Sequence, residues 1–129
     1  MDVIVDSSLW IDELAGQTVA IIENAVAEGT LVLTPLVIAE LLSGNLTRHQ
    51  QEMIGELLQD FDMHDTPLEH WMNVGALRRL LASHGVNVTI PDAHVAQCAI
   101  DRDAMLYSRD EIFSLIAKHT PLRFSPAVG

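Results

Sequence analysis

The sequence predicts an α/β fold built on a central parallel sheet of four to five strands. Three observations carry that prediction. Short, wholly apolar runs such as Val3–Val5 and Leu31–Leu33 fit strands buried on both faces, as in parallel sheets. Longer segments with apolar residues at helical spacing separate those runs, and strand–helix alternation is the pattern of α/β domains. No linker, repeat or low-complexity stretch interrupts the 129 residues. That length suits one domain (residues 1–129) burying roughly two-thirds of its unfolded surface.

Val3–Val5 opens the sheet. Ser7 or Ser8 is placed to cap a helix through Leu9, Trp10, Ile11 and Leu14 that ends at Gly16, with Asp12 and Glu13 on its exposed side. Thr18 to Glu28 reads as a second helix closed by Gly29. Its stripe of Val19, Ile22 and Val26, with Ala20 and Ile21 adjacent, is ample for one core contact, so packing on the sheet and a homodimer interface are both expected readings. Leu31–Leu33 is the second strand. Thr34 then caps a helix with Pro35 at its first position, ended by Gly44. This helix is apolar nearly all round, which predicts burial.

Leu46 to Phe61 is amphipathic, with Met53, Ile54, Leu57, Leu58 and Phe61 on one stripe, and a short strand follows near Met63. Leu68 to His84 is a helix closed by Gly85, with Trp71, Val74, Leu77 and Leu81 facing inward. This helical pair is long for a simple crossover, which predicts a small helical projection beside the sheet. Asp92 to Asp101 is helical, Met105–Tyr107 is a strand, Glu111 to His119 is a helix, and Leu122–Phe124 is an edge strand before a tail from Ser125 to Gly129.

Composition limits the partners. The net charge is −11, with 18 acids against seven bases, and such a surface repels nucleic acid on average. A polyanion binds only where a metal or grouped arginines invert the local field, and a basic protein partner is favoured. Direct DNA binding by this chain alone is not expected. Cys98 is the only cysteine and lies in an apolar helical pattern, so it reads as a buried inert thiol in a reducing compartment. Asp2 stands where a signal peptide carries positive charge, and the apolar stretch from Leu31 to Leu42 contains Pro35 and Glu40 and is too short to span a bilayer. A soluble cytoplasmic protein is expected.

Four acids stand beside apolar segments far apart in the chain: Asp6, Glu40, Asp92 and Asp110. The helical neighbours of Glu40 are Leu36, Val37, Ser43 and Gly44, none of which offers a counter-charge. Asp6, Asp92 and Asp110 adjoin strand ends or helix starts, and ligands gather beyond the carboxyl ends of parallel strands. Two carboxylates about 5 Å apart cost about 3 kcal/mol at an effective dielectric of about 20. Such a cluster persists where a hard cation neutralises it, and oxygen-only donors select Mg²⁺ or Mn²⁺. Each acid taken singly has a plainer reading, as a helix cap or a first-turn charge. Asp101 and Asp103 flank a helix end, where one of them could add an outer ligand. None of His49, His64, His70, His84 and His119 shows metal-ligand spacing, so they read as surface residues, and His94 as a bystander.

Val3-Ile4-Val5-Asp6-Ser7-Ser8 followed by a helix resembles the opening of PIN-domain proteins. Thr34 to Gly44 resembles their second, Glu-bearing motif, Pro91 to Ala96 the third, and Leu106 to Phe113 the fourth. The resemblance spans nearly the whole chain, and the length resembles that of VapC-like toxins. It implies an α/β/α sandwich and an acidic quartet of Asp6, Glu40, Asp92 and Asp110. Asp6, Asp92 and Asp110 would hold Mg²⁺ or Mn²⁺, and Ser7 and Ser108 would orient ligands or phosphate. The implied activity is a metal-dependent endoribonuclease, with an antitoxin partner, a homodimeric state, and Arg109 and Arg48 as RNA contacts. Ile112 stands where the fourth motif often has a second Asp, and Arg102 stands between Asp101 and Asp103.

Two alternatives belong to other classes. A receiver-like phosphoryl-transfer domain needs a lysine at a strand end, whereas the only lysine, Lys118, lies in a helical segment. A catalytically inactive PIN-like binding module would have lost the quartet, which is intact here.

Overall fold

The computed structural model describes residues 1–126. Its elements are β1 (Val3–Val5), α1 (Ser7–Leu14), α2 (Ala20–Glu28), β2 (Val32–Leu33), α3 (Pro35–Leu42), α4 (Arg48–Asp60), β3 (Asp62–Met63), α5 (Leu68–Ser83), α6 (Ile90–Arg102), β4 (Met105–Ser108), α7 (Ile112–Ala117) and β5 (Arg123–Pro126).

Every strand pairing is parallel. β4 lies between β1 and β5, and β2 pairs with β3. A single parallel bridge between Val3 and Leu31 joins the two parts, giving the spatial order β3-β2-β1-β4-β5. Successive residues of a strand point to opposite faces. Ile4 and Val5 are both buried, as are Val32 and Leu33, so helices cover both faces as the continuous apolar runs required. Ile4, Leu9, Ile22, Leu81, Leu106, Phe113 and Ile116 form the centre of a mainly aliphatic core.

Gly29 (φ 70°) and Gly85 (φ 78°) take the left-handed conformation, which glycine adopts without steric cost. They close α2 and α5 where the sequence placed the stops. Thr47 and Gln50 form a reciprocal capping box that starts α4, and the Gln50 amide donates to the Leu14 carbonyl at 2.8 Å, tying α4 to α1.

The structure corrects several expectations. Asp6, not Ser7 or Ser8, occupies the cap position of α1, and both serines fall in its first turn. Val19 caps α2. Thr89 caps α6 by accepting the Asp92 amide N–H at 3.3 Å, so that helix starts at Ile90. Thr34 holds the cap position of α3 without making a side-chain capping bond. α3 is buried on one face only, leaving Glu40 exposed and Leu42 half-exposed. Of the expected helical pair, α5 packs along α6, whereas α4 buries only Ile54. Ser125 and Pro126 belong to β5, while the rest of the expected tail lies outside the described residues. Asp12 and Glu13 are half-buried and make contacts with Arg109 and the Val19 amide.

The inward stripe of α5 is His70, Val74, Leu77 and Leu81, with steps of four, three and four. His70 is therefore buried and Trp71 is partly exposed, one position away from the expected register. His94 is wholly buried as well. Reading His70 as a surface residue overlooked that it fits the helical period better than Trp71 does.

Candidate active site

The register of the sheet builds the site. Val5 is opposite Tyr107, so the next residues, Asp6 and Ser108, emerge side by side at the carboxyl edge. The Asp6 amide donates to the Tyr107 carbonyl at 3.0 Å. The buried Ser108 hydroxyl donates to Asp6 Oδ2 at 2.8 Å, and its oxygen accepts the Asp110 amide N–H at 3.0 Å. One hydroxyl thus fixes two acids that are 104 residues apart in the chain (110 − 6). Asp110 Oδ1 accepts the Ile112 amide at 3.0 Å just ahead of α7, whose cap position is held by Glu111.

Asp6, Ser7, Glu40, Asp92 and Asp110 line one pocket with Ser8, Pro91 and Arg109. Four separate segments supply its four carboxylates: the β1 end, α3, the first turn of α6 and the β4 end. The Arg109 guanidinium reaches Asp12 of α1.

The electrostatics match the geometry. Burial pushes the Asp6 carboxyl above its ordinary value of 3.8, against the hydrogen bonds from Ser108 and the Ser7 amide, and the charge of Asp110 adds to the rise. Glu40 is raised by desolvation and then by the charges of Asp6 and Asp92, with the Ser7 hydroxyl opposing. Asp92 is raised by desolvation, with Asp110 and Asp6 adding to it. The charges of neighbouring carboxylates thus oppose ionisation of Asp6, Glu40 and Asp92, as expected of acids that share one site. Carboxylate and hydroxyl oxygens make a donor set suited to a hard divalent cation. Asp6, Asp92 and Asp110 are the residues that could hold one.

Other expected residues lie elsewhere. Arg48 is on exposed α4, 3.5 Å from Glu52, outside the pocket wall. Asp101 and Asp103 sit at the opposite end of α6 from Asp92. Asp101 accepts from Gln97, and Asp103 from Arg123. Arg102 is bound by Asp2 and Asp62, which pins α6 to the N-terminus and β3. Sequence reasoning did not anticipate Asp12, whose contact with Arg109 spans 97 residues and left no local signal.

A ligand site beyond the carboxyl ends of a parallel sheet, walled by acids, defines a class of α/β proteins. Residues 3–119 match the PIN domain family, and the chain belongs to that family. The fold is similar to a chain in the crystal structure of VapBC2 from Rickettsia felis bound to a promoter DNA fragment. Identity there is 16%, the TM-score is 0.78, and 98% of each chain is covered. It is also similar to a chain of DNA-bound VapBC from Salmonella typhimurium (14% identity, TM-score 0.77, 99% of each chain). A third is in a toxin–antitoxin complex from Klebsiella pneumoniae (19% identity, TM-score 0.67, 85% of this chain and 88% of that one). At these identities the likeness is one of fold. No curated protein matches the chain. Among the described residues no helix is long and apolar enough to cross a membrane.

Proposed function

We propose that this chain, as one PIN domain over residues 1–129, is a metal-dependent endoribonuclease and the toxin of a toxin–antitoxin pair. The observation that carries the reading is the convergence of Asp6, Glu40, Asp92 and Asp110 on one pocket with Arg109 in its wall. Asp6, Asp92 and Asp110 would hold Mg²⁺ or Mn²⁺. When bound, that ion lowers the pKa of a water and offsets charge on the phosphate oxygens.

The chain's own residues do the positioning. Ser108 locks the Asp6 carboxylate in place. The Ser7 hydroxyl favours the ionised form of Glu40, which orients the attacking water at the more exposed side of the pocket. Arg109 meets the phosphodiester charge, and its contact with Asp12 sets its reach. In-line attack leaves a 5′-phosphate and a 3′-hydroxyl, as the family resemblance implies. The pocket's cation is an arginine rather than a lysine, which disfavours a receiver-like phosphoryl-transfer site.

The partner would be a small antitoxin that carries a basic group into the acidic pocket, consistent with the toxin–antitoxin neighbours in fold. A homodimer is proposed through the α2 face, where Val26 remains partly exposed. The cytoplasm is the proposed location. The test is cleavage of a labelled RNA by the purified chain. Cleavage that needs added Mg²⁺ or Mn²⁺, stops with chelator and is lost in Asp6→Asn supports the reading. Cleavage that survives chelator or Asp6→Asn overturns it.

A further inference from the structure

Behind the acidic pocket, the same helix contributes to a second group of donors that the proposed reaction does not use. His64 follows β3, His70 lies in the first turn of α5, and Cys98 lies on the inner face of α6. A ring nitrogen of His64, a ring nitrogen of His70 and the Cys98 thiol sulfur all lie within 4.8 Å of one another. His94 Nδ1 is 2.7 Å from His70 Nε2, and His94 stacks on Trp71 with ring centroids 4.9 Å apart. The His70 ring is thereby held from behind.

Two of these donors have unmet hydrogen-bonding capacity. Nδ1 of His64 and Nδ1 of His70 are both buried without a hydrogen-bond partner. His70 itself is only 3% exposed, and Asp101 Oδ2 stands 3.6 Å from its Nδ1, beyond hydrogen-bond distance. A buried polar group left unpaired costs about 1–3 kcal/mol, a cost that a bound ion would offset at whichever of these nitrogens it meets. A cavity of ≈ 360 Å³, lined by His64, His70 and Asp101 with Pro67, Glu69 and Asn73, opens beside the rings. It gives access to the two histidines.

We propose that His64, His70 and Cys98 form a binding site for a borderline divalent transition metal of the zinc class, with Asp101 or a water completing it at the cavity mouth. Imidazole and thiolate donors select such ions, as carboxylate oxygens select Mg²⁺ or Mn²⁺. The two sites therefore sort metals by donor softness. Tetrahedral bonds of about 2.0–2.3 Å draw ligand atoms to about 3.5 Å of one another, a contraction within reach of side-chain rotation. Binding deprotonates Cys98, and the thiol proton goes to solvent. The ion would fasten the β3–α5 loop and α5 onto α6. Its role is structural, and the proposal does not depend on the ribonuclease reading.

The test is Co²⁺ and Zn²⁺ titration of the purified full chain. One equivalent of Co²⁺ should give a thiolate-to-metal charge-transfer band with intense tetrahedral d–d bands, which Zn²⁺ then removes. Cys98→Ala should abolish the charge-transfer band. His64→Gln, at a half-buried position, should weaken Zn²⁺ by at least about tenfold. Asp6→Asn should leave all three readouts unaltered. Absence of the band in the unaltered chain overturns the site whatever the variants do. So does a band that persists in folded Cys98→Ala, or unchanged Zn²⁺ affinity in folded His64→Gln.

Discussion

Two clusters share α6 and differ in the groups they remove from water. At its first turn Asp92 joins three other acids in a pocket open to solvent. Deeper along the helix, His94 and Cys98 sit wholly buried beside His70. In the acidic pocket, desolvation and like charges make the ionised form costly, so Asp6, Glu40 and Asp92 all titrate above their ordinary values. In the histidine cluster, burial makes the cation costly and pushes His94 down to about 4. The same burial pushes the Cys98 thiol up to about 12. Low dielectric acts alike on both clusters and favours whichever form is neutral. Opposite residue types therefore answer pH with opposite sign.

The largest expected effect breaks the acidic side. Asp6→Asn should lower RNA cleavage by at least about 10²–10³-fold, while raising the melting temperature of the metal-free protein by relieving repulsion. A variant that melts lower and cleaves normally would show that these acids do not share a function.

The next prediction sharpens the contrast through metal-free melts between pH 4 and 7. His94 has a folded pKa depressed from 6.5 to about 4. Its contribution is present above about pH 6.5 and is lost as pH falls toward 4, amounting to about 3 kcal/mol if fully expressed. The three acids have raised folded pKa values, so their contribution is full at low pH and is lost as pH rises through those values. His94→Gln should flatten the acid-side loss, and Asp6→Asn should reduce the decline on the other side. Identical pH profiles for the two variants would refute the opposition.

A smaller effect is expected at Ser108. Ser108→Ala removes the donor to Asp6 and the acceptor for the Asp110 amide. Denaturant melts should show a loss of about 1–2 kcal/mol, with cleavage reduced but not abolished. Arg48→Ala should be the quietest, because its pair with Glu52 is solvent-exposed. Stability should change by less than about 0.5 kcal/mol; a larger loss would show that α4 matters more than its exposure suggests.

The acidic pocket was legible because each acid borders an apolar run whose element type the pattern shows. A parallel sheet then brings the carboxyl ends together. Glu40 stood out for its lack of any local cation. The histidine cluster was not legible, because its members come from three elements with no ligand spacing in the chain. A step of one residue on α5 rotates a side chain by about 100°, which is the whole difference between an inward Trp71 and an inward His70. The caps were misread for a related reason. Asp6, Ser7 and Ser8 are all residue types suited to a cap, and strand pairing with Tyr107 decides which one occupies that position. That α3 has an open side was hidden as well, since an apolar sequence does not state how many neighbours cover it.

The single bridge between Val3 and Leu31 is a seam between a three-strand plate and a two-strand plate. Asp6 and Asp110 stand on the wider plate, whereas Glu40 follows the narrower one through β2 and α3. α3 also packs against α1 and α6, so the seam and these helix contacts together hold Glu40 opposite the acids of the wider plate. Substitutions at Val3 or Leu31 would act on the spacing of Glu40 from Asp6 and Asp110 without replacing any of the acids.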